Sequence, residues 1–386
     1  MKLRLTILLI SLMPWAACAQ DQATTSRDAN LTPGLSFKPN SLRWNGLPVD
    51  DVNYHVILTG NGMAQTNPIP SDYSSFIDAG NAQVIVKKEE GLIQFYLQSG
   101  IYSTPSLGTT YQRASLQTMD SFGLVPLASV SVAPSRYWLI TGGKINSFGG
   151  NESTFTFQNN NIDRGLLWNQ TSNVSKGVQL TYKEDAFSAA VTLNDGFYSN
   201  QLSWLGASAA YQLNQKSNVS VLWTGAMKAN ATNTFITPIL QNNSQIVNAI
   251  YTYQSNRLSV SPYLQYTYIP ANPSLGILTS AQTMGAAILT NYRLAWSVPG
   301  KVTLPLRVEY IDSSGKGDAS SPNLLYGPGS AAWSATITPT YQYERVFIRG
   351  ELSYVQALQT SMGMVFGSTG NANTQTRIML EFGLVY

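Results

Sequence analysis

The sequence predicts an all-β fold, a transmembrane antiparallel β-barrel of about 16 strands that is closed by its C-terminal strand. Three observations carry this prediction. Apolar and polar residues alternate along many segments, only 11% of the residues are charged, and the chain opens with a segment typical of exported proteins. Soluble domains average about 25% charged residues. Low charge, alternation and export are expected together when strands cross a membrane with lipid on one face and water on the other.

The first element is an expected signal peptide, residues 1–19. Lys2 and Arg4 form a charged start, the apolar stretch after them is too short to span a bilayer, and the small residues of ACA end the segment at Ala19. A lipoprotein signal with Cys18 as the lipidated residue is the alternative. Cleavage after Ala19 removes the only cysteine, so no disulfide is expected.

The charge balance argues against a nucleic-acid partner. The chain has 23 basic and 20 acidic residues, and removing the two basic residues of the signal leaves 21 and 20. A nearly neutral chain lacks the basic excess of nucleic-acid binders. After the signal, no apolar run approaches the roughly 20 residues that a membrane helix needs. Outer-membrane lipid is therefore the expected environment, reached by strands.

A polar segment, residues 20–50, is expected as a periplasmic lead-in to a barrel over residues 51–386. Within the barrel, the segment VTLPLRVEY shows the period of two most clearly. This period predicts that Arg307 faces the lumen while Val308 faces lipid. The predicted strands are 52–60, 81–89, 91–102, 126–133, 136–145, 175–183, 186–194, 201–213, 217–228, 244–254, 257–269, 281–296, 301–312, 330–343, 346–358 and 374–386.

The connections between these strands alternate between tight turns and longer segments rich in Gly, Asn, Ser and Pro. Outer-membrane barrels show this alternation, with short periplasmic turns and longer external loops. An even number of strands puts both termini on the periplasmic side. A secreted β-sandwich or β-propeller is the alternative, since it also alternates. It gives no reason, however, for tyrosines such as Tyr268 and Tyr310 at the ends of apolar strand faces.

The last strand ends the sequence with one uninterrupted apolar face, formed by Ile378, Leu380, Phe382, Leu384 and Tyr386. A closed barrel must pair its last strand with its first, because an open edge in lipid leaves backbone groups without partners. The ending also resembles the C-terminal signal of Gram-negative outer-membrane proteins. That resemblance implies the barrel-assembly machinery as a partner.

Four short motifs lie between residues 138 and 200. They are Gly143-Lys144, Asn-Ile-x-Arg-Gly-Leu-Leu at 161–167, Gly-Val-Gln at 177–179, and Asn194-Asp195-Gly196. In these motifs the chain resembles the putative beta-barrel porin-2 family of Gram-negative bacteria. The resemblance implies a porin-like barrel and names no solute. The leading functional hypothesis is an outer-membrane channel for passive diffusion of small polar solutes or ions. It needs no cofactor; the oligomeric state is open, with a homotrimer as a candidate.

The longest predicted loop, residues 146–174, is expected to be the third external loop. In sixteen-stranded general porins the third loop folds inward and narrows the pore. By this analogy Glu152, Asp163 and Arg164 lie near a constriction. An equally weighted alternative is that Asp163 and Arg164 cap a short helical turn (162–168) that packs on the barrel wall.

Charged residues recur at inward positions of the later strands. Opposite charges in a pore set transverse fields and tune ion selectivity. The alternative is that they pair between adjacent strands and fill a polar interior, which is favoured for the charges of the last two strands. The predicted pore-lining residues are Arg293, Arg307, Glu309, Arg349, Glu351, Arg377 and Glu381.

Two further functions stay open beside the channel. A plugged barrel could serve adhesion or docking through its external loops. His55, the single histidine, could serve an outer-membrane hydrolase, but no triad signature accompanies it. No phosphate-binding loop and no His/Cys cluster for a transition metal occur in the sequence. We therefore expect neither an enzyme nor a cofactor or metal.

Overall fold

Strand pairing closes the sheet of this protein on itself. In the computed structural model, the last strand pairs with the first long strand, so that Val385 lies opposite Ile57 and Arg377 lies opposite Gln65. All neighbouring strands are antiparallel, and the barrel has sixteen strands, as predicted. The predicted signal peptide lies outside the described residues. The structure describes residues 35–36, 40–44, 47–297, 299–315 and 321–386.

The described strands belong to one sheet. The short β1 pairs only with the start of β2, while β15 and β16 are two pieces of one barrel strand. The strands are β1 (Asn40–Trp44), β2 (Leu47–Gln65), β3 (Ser75–Lys88), β4 (Ile93–Tyr102), β5 (Leu127–Ser135), β6 (Trp138–Asn146), β7 (Val174–Glu184), β8 (Phe187–Asn194), β9 (Trp204–Asn214), β10 (Ser217–Ala226), β11 (Gln245–Gln254), β12 (Leu258–Ile269), β13 (Ala281–Arg293), β14 (Lys301–Ser313), β15 (Ala331–Ile337), β16 (Thr340–Tyr343), β17 (Val346–Leu358) and β18 (Thr374–Val385).

Each predicted strand overlaps an observed one, and the largest differences lie in β2 and β3. Both strands are longer than predicted, and they pair as far as Ala64 opposite Ser75. The register shifts between Thr59 and Gly60. Such a bulge, together with glycines that have no side chain, hides the alternation from a reading of the sequence. Part of the predicted lead-in, 20–50, also belongs to strands β1 and β2.

The interruption between β15 and β16 has a local cause. Pro339 has no N–H to donate to the strand ladder. The neighbouring strands still engage this segment, because Gly350 N donates to the Pro339 carbonyl at 3.1 Å and Thr338 N donates to the Pro305 carbonyl at 3.0 Å. The barrel wall therefore continues through the break.

The two faces of the strands differ as the period of two predicts. Val308 is 56% exposed on the outer face, whereas Arg307 is fully buried on the inner face. On the last strand, Ile378, Leu380 and Phe382 are exposed and alternate with buried residues. An outward apolar face and a polar interior are what a barrel in a bilayer requires.

The connections alternate in length around the barrel. The end with the short turns is called the turn end here, and the end with the longer segments is called the loop end. Among the described residues, no helix is long and apolar enough to cross a membrane. The helices all lie in connections at the loop end: α1 (Ala114–Asp120), α2 (Ile239–Asn242), and 3-10 turns at Thr156–Gln158, Leu167–Gln170 and Pro273–Leu275.

Candidate functional site

The connection between β6 and β7, residues 147–173, lies inside the barrel and is called the inner loop here. Its side chains Phe155, Ile162 and Arg164 are fully buried. It hydrogen-bonds to inward-facing residues of strands on several sides of the barrel, among them Asn81 on β3 and Ser261 on β12. Its ion pairs are with the later strands, where the predicted charged residues lie.

Arg307 on β14 binds the inner loop at two points, Glu152 and Asp163. Its Nη1 lies 2.7 Å from Glu152 Oε1 and donates to the Asp163 carbonyl at 2.7 Å. Its Nε lies 3.2 Å from Glu309 Oε2. Burial raises the pKa of the Glu152 carboxyl, and the Arg307 charge opposes that shift. The guanidinium thus joins two carboxylates and one carbonyl in a site without solvent contact.

Glu309, also on β14, binds the backbone of the second half of the inner loop. Its carboxylate accepts hydrogen bonds from Leu166 N at 3.0 Å and, more weakly, from Leu167 N at 3.5 Å. These N–H groups lie where a 3-10 turn begins, so they have no partner within the turn. A Cβ added to Gly165 would lie 2.0 Å from Glu309 Oε1. Glycine is therefore needed where the inner loop crosses this carboxylate.

Glu351 makes a similar contact from β17, which is separated from β14 by the barrel strand of β15 and β16. It accepts hydrogen bonds from Ile162 N at 2.6 Å and Asp163 N at 2.9 Å, and from Thr338 Oγ1 at 2.7 Å. Carboxylates that accept backbone N–H donors form charge-assisted hydrogen bonds. The stretch at 161–167, which carries the family resemblance, is thus bound by two wall carboxylates through its main chain.

Arg349 and Glu381 form an ion pair between β17 and β18, with Nε 2.7 Å from Oε2. Arg349 also donates to the Asn159 and Thr156 carbonyls, each at 2.9 Å. Thr156 in turn donates its hydroxyl to Glu381 at 2.9 Å. The pairing between adjacent strands and the contact with the inner loop therefore occur together.

Arg377 on β18 connects the inner loop to a second segment of the loop end. Its Nη1 lies 3.0 Å from Asp163 Oδ1, and the same nitrogen donates to the Ser106 carbonyl at 3.1 Å. Its Nε donates to Gln65 Oε1 at 3.0 Å. Ser106 belongs to the connection between β4 and β5, so two connections meet at this guanidinium.

Arg164 is the one inner-loop cation, and its partners are main-chain carbonyls. It donates to Ser153 at 3.2 Å, to Pro105 at 3.1 Å and to Thr154. Burial lowers the pKa of its guanidinium to about 10, although the nearby carboxylates oppose this shift. The group stays charged near neutral pH and joins parts of the inner loop to each other and to Pro105 in the connection between β4 and β5. Arg164 thus binds main-chain carbonyls of two connections instead of capping a helical turn.

The structure brings together nine of the ten charged residues that the sequence analysis selected. The exception is Arg293, which has the inward parity of β13 but lies exposed at the turn end, opposite Thr303. The other six wall residues are buried against the inner loop. Whether any of the ten acts on a passing solute stays a prediction. The wall from β14 to β18, which carries these contacts, is called the packed wall.

The opposite side of the lumen is different. A cavity of about 320 Å³ lies along the inward faces of β3 to β7, which we call the open wall. Ser131, Thr141 and Gln179 contribute hydroxyl and amide groups, and His55 and Lys87 lie toward the turn end. Lys87 forms an ion pair with Glu89 at 2.8 Å. Ser131, Thr141 and Gln179 were not among the predicted pore-lining residues, because nothing but inward parity marks an uncharged strand residue as part of the lumen, even where Gln179 ends the Gly-Val-Gln motif.

A closed sixteen-stranded barrel with a long connection folded into its lumen defines the porin class of outer-membrane proteins. The chain belongs to the putative beta-barrel porin-2, OmpL-like family, whose profile matches residues 53–385. This confirms the resemblance seen in the motifs between residues 138 and 200. The family and the fold together identify an outer-membrane porin channel.

Solved porin structures share the fold at low sequence identity. An anion-selective porin from Comamonas acidovorans is 12% identical with a TM-score of 0.58, covering 87% of this chain and 99% of that one. The outer-membrane channel DcaP of Acinetobacter baumannii is 12% identical with a TM-score of 0.56, covering 87% and 97%. Salmonella typhi OmpF, in a complex with daunomycin, is 14% identical with a TM-score of 0.56, covering 87% and 97%. No significant match was found among curated protein sequences.

Proposed function

We propose that the protein is a passive channel for small polar solutes or ions, and that its conducting path runs along the open wall. The observation that carries this proposal is the asymmetry of the lumen. The ion pairs of the inner loop are all with the packed wall. The cavity of about 320 Å³ lies between the open wall and the inner-loop residues Phe148, Phe157 and Gln158. A path past Ser131, Thr141 and Gln179 offers hydroxyl and amide groups that replace part of a solute's hydration.

The experiment is a pair of tryptophan substitutions at neighbouring positions of β5. Ser131→Trp adds a large side chain to the cavity, whereas Val130→Trp adds the same side chain to the outer face, where Val130 is 56% exposed. In planar bilayers we expect Ser131→Trp to reduce single-channel conductance by roughly half or more, because the path narrows, and Val130→Trp to leave it unchanged. Equal conductance in both variants would place the path elsewhere.

A plugged barrel that acts in adhesion or docking is the second candidate. It is favoured by the second segment that fills the loop end, because Ser106 and Thr109 of the β4–β5 connection both accept hydrogen bonds from Arg377. Repeated absence of conductance with correctly folded wild-type protein would support this candidate over the channel. A hydrolase role for His55 is not proposed, and unchanged hydrolysis after His55→Ala would exclude it.

We further infer that residues 1–19 direct export and that the turn end faces the periplasm. A homotrimer is the proposed assembly. We also infer that the barrel-assembly machinery reads the C-terminal strand. Main-chain hydrogen bonds of 2.8 Å in both directions between Val56 and Tyr386 support a closing role for the last residue. Arg345 also lies over the Tyr386 ring, 3.5 Å from its centroid.

Replacing both Phe382 and Tyr386 by Ser tests this assembly signal. We expect the variant to be lost from the outer membrane, because the apolar face of the last strand is interrupted. The measurement is heat-modifiable migration on a gel after membrane fractionation. Assembly at the wild-type level would show that the aromatic ending is incidental.

A further inference from the structure

A short segment before the barrel reaches its interior. Leu35 is 1% exposed and belongs to one apolar cluster with Ile57, Phe347 and Val385. These three residues are buried and have inward parity, and Val385 lies directly opposite Ile57 where β18 meets β2. Apolar groups on the inner wall of a water-filled barrel are unfavourable unless another apolar group covers them. Leu35 contributes to that cover, together with Phe155 and Phe157 of the inner loop, which belong to the same cluster.

Polar contacts fix the same segment to the wall. Ser36 N donates to Gln342 Oε1 at 2.9 Å, and Gln342 Nε2 donates back to the Ser36 carbonyl at 2.8 Å. Lys301 Nζ lies 3.3 Å from Ser36 Oγ. Asn40, a few residues after Ser36, accepts a hydrogen bond from Arg345 at its Oδ1 at 3.3 Å. Both main-chain groups of Ser36 are satisfied by one amide side chain, so the wall recognises backbone as well as the leucine.

On the packed wall, the segment around Leu35 and Ser36 lies next to the inner loop, on its turn-end side. Gln342 is paired with Phe347 on β17 and with Lys301 on β14. Phe347 is two residues from Arg349, whose Cζ lies 5.7 Å from the centroid of the phenyl ring. Arg349 is the residue that donates to two carbonyls of the inner loop. The segment around Leu35 and the inner loop thus cover neighbouring parts of the packed wall, with the Leu35 segment nearer the turn end.

We propose that the turn end of the packed wall is a peptide-binding pocket whose occupant is the chain's own segment around Leu35 and Ser36. The pocket consists of the apolar surface of Ile57, Phe347 and Val385 with the amide of Gln342 at its edge. The bound segment narrows the turn-end mouth of the lumen as a tethered plug. The effect on conductance rests on the proposed channel function; occupation of the pocket does not.

The first test measures accessibility and needs no conduction. Phe347→Cys places a thiol in the pocket, and a membrane-impermeant maleimide added from the turn end reports whether the pocket is covered. We expect slow labelling when residue 35 is Leu and at least tenfold faster labelling when Leu35→Asp is added, because a carboxylate does not remain in an apolar pocket. The control is Leu42→Asp, since Leu42 is 36% exposed on β1.

A peptide added in trans makes the test specific for sequence. The probe is a synthetic peptide, LTPGLSFKPN, with the sequence of residues 31–40. We expect it to restore slow labelling of the Phe347→Cys, Leu35→Asp protein, whereas the peptide with Leu35→Asp does not. Heat-modifiable migration verifies that each variant is folded. Equal labelling with and without Leu35→Asp would overturn the pocket.

Conductance then separates this inference from the channel proposal. If both proposals hold, single-channel conductance of the Leu35→Asp protein rises above that of wild type and of Leu42→Asp. Accelerated labelling without conductance in any variant would support the pocket and overturn the channel. Accelerated labelling with unchanged conductance would support the pocket and overturn its role as a plug.

Discussion

The two sides of the lumen differ in what their inward residues bind. On the packed wall, arginines and glutamates such as Arg349 and Glu381 are engaged by the inner loop and by each other. On the open wall, the inward residues around the cavity are mainly uncharged. Some are polar, as at Ser131 and Thr141, which bond to one another at 2.8 Å, and others are apolar, as at Ile85 and Leu127. The comparison teaches that a charge inside a barrel can hold an inserted segment in place instead of facing the solute.

The energetics follow from burial. A buried ion pair with all its hydrogen bonds made contributes little net stability, but removing one partner leaves an uncompensated charge and costs about 3–5 kcal/mol. Removing an uncharged hydroxyl from the open wall breaks one hydrogen bond, which costs about 0.5–1.5 kcal/mol. Substitutions of charged residues on the packed wall should therefore lower the free energy of unfolding more than substitutions of hydroxyl residues on the open wall.

The largest effect is expected for Arg307→Glu. An arginine that faced open water in the lumen would tolerate this change with a shift in ion selectivity, but the structure places Arg307 between Glu152 and Glu309. A third carboxylate there removes both ion pairs and adds repulsion, so we now expect a loss of more than about 3–5 kcal/mol in the free energy of unfolding. Urea titration in detergent micelles measures it. The matched control is Arg293→Glu, an exposed inward position, and an equal loss in both would contradict the comparison.

The outer face of the packed wall provides the next prediction. Val308→Arg places a charge on the outer face of the barrel, where Val308 is 56% exposed. Near the bilayer midplane this costs about 2–4 kcal/mol. The measurement is folding yield and unfolding free energy in lipid vesicles. If Val308→Arg folds as well as wild type while Arg307→Glu does not fold, then the outer face at this level is not in hydrocarbon.

A smaller effect is expected from Gly165→Ala in the inner loop. The added methyl group would lie 2.0 Å from Glu309 Oε1, so the loop or the carboxylate must shift. Overpacking of this kind costs about 1–3 kcal/mol. The control is Gly142→Ala on β6, because an added Cβ there meets no atom within 4 Å. Proteolysis of the inner loop in the folded barrel, compared between the two variants, reports the loosening. Equal protection in both would mean that the close approach is unimportant.

The smallest effect is expected on the open wall. Thr141→Ala removes a hydroxyl that bonds to Ser131 at the cavity, and we expect a loss of about 0.5–1.5 kcal/mol in the free energy of unfolding. Conductance should change measurably all the same, because the residue lines the proposed path. A large stability loss in the urea titration would show that the open wall is as tightly packed as the opposite one.

The number and order of the barrel strands, the face of most residues in the regular strands, and the family could be predicted from the sequence. These are local properties, since a period of two within one strand already separates Arg307 from Val308. The motif at 161–167 could also be found from the sequence, although its physical role could not. Its glycine and its main-chain N–H groups matter only because Glu309 and Glu351 lie against them.

Three features could not be predicted from the sequence: which charges meet, where the inner loop lies, and that Leu35 returns to the barrel. The residues concerned are far apart in sequence: Glu152 and Arg307 are separated by 155 positions, and Ser36 and Gln342 by 306. Closure of the sheet sets the distances between strands that are not neighbours, and no local pattern encodes them. Whether an inward charge faces water or a loop is therefore decided by what the closed barrel encloses.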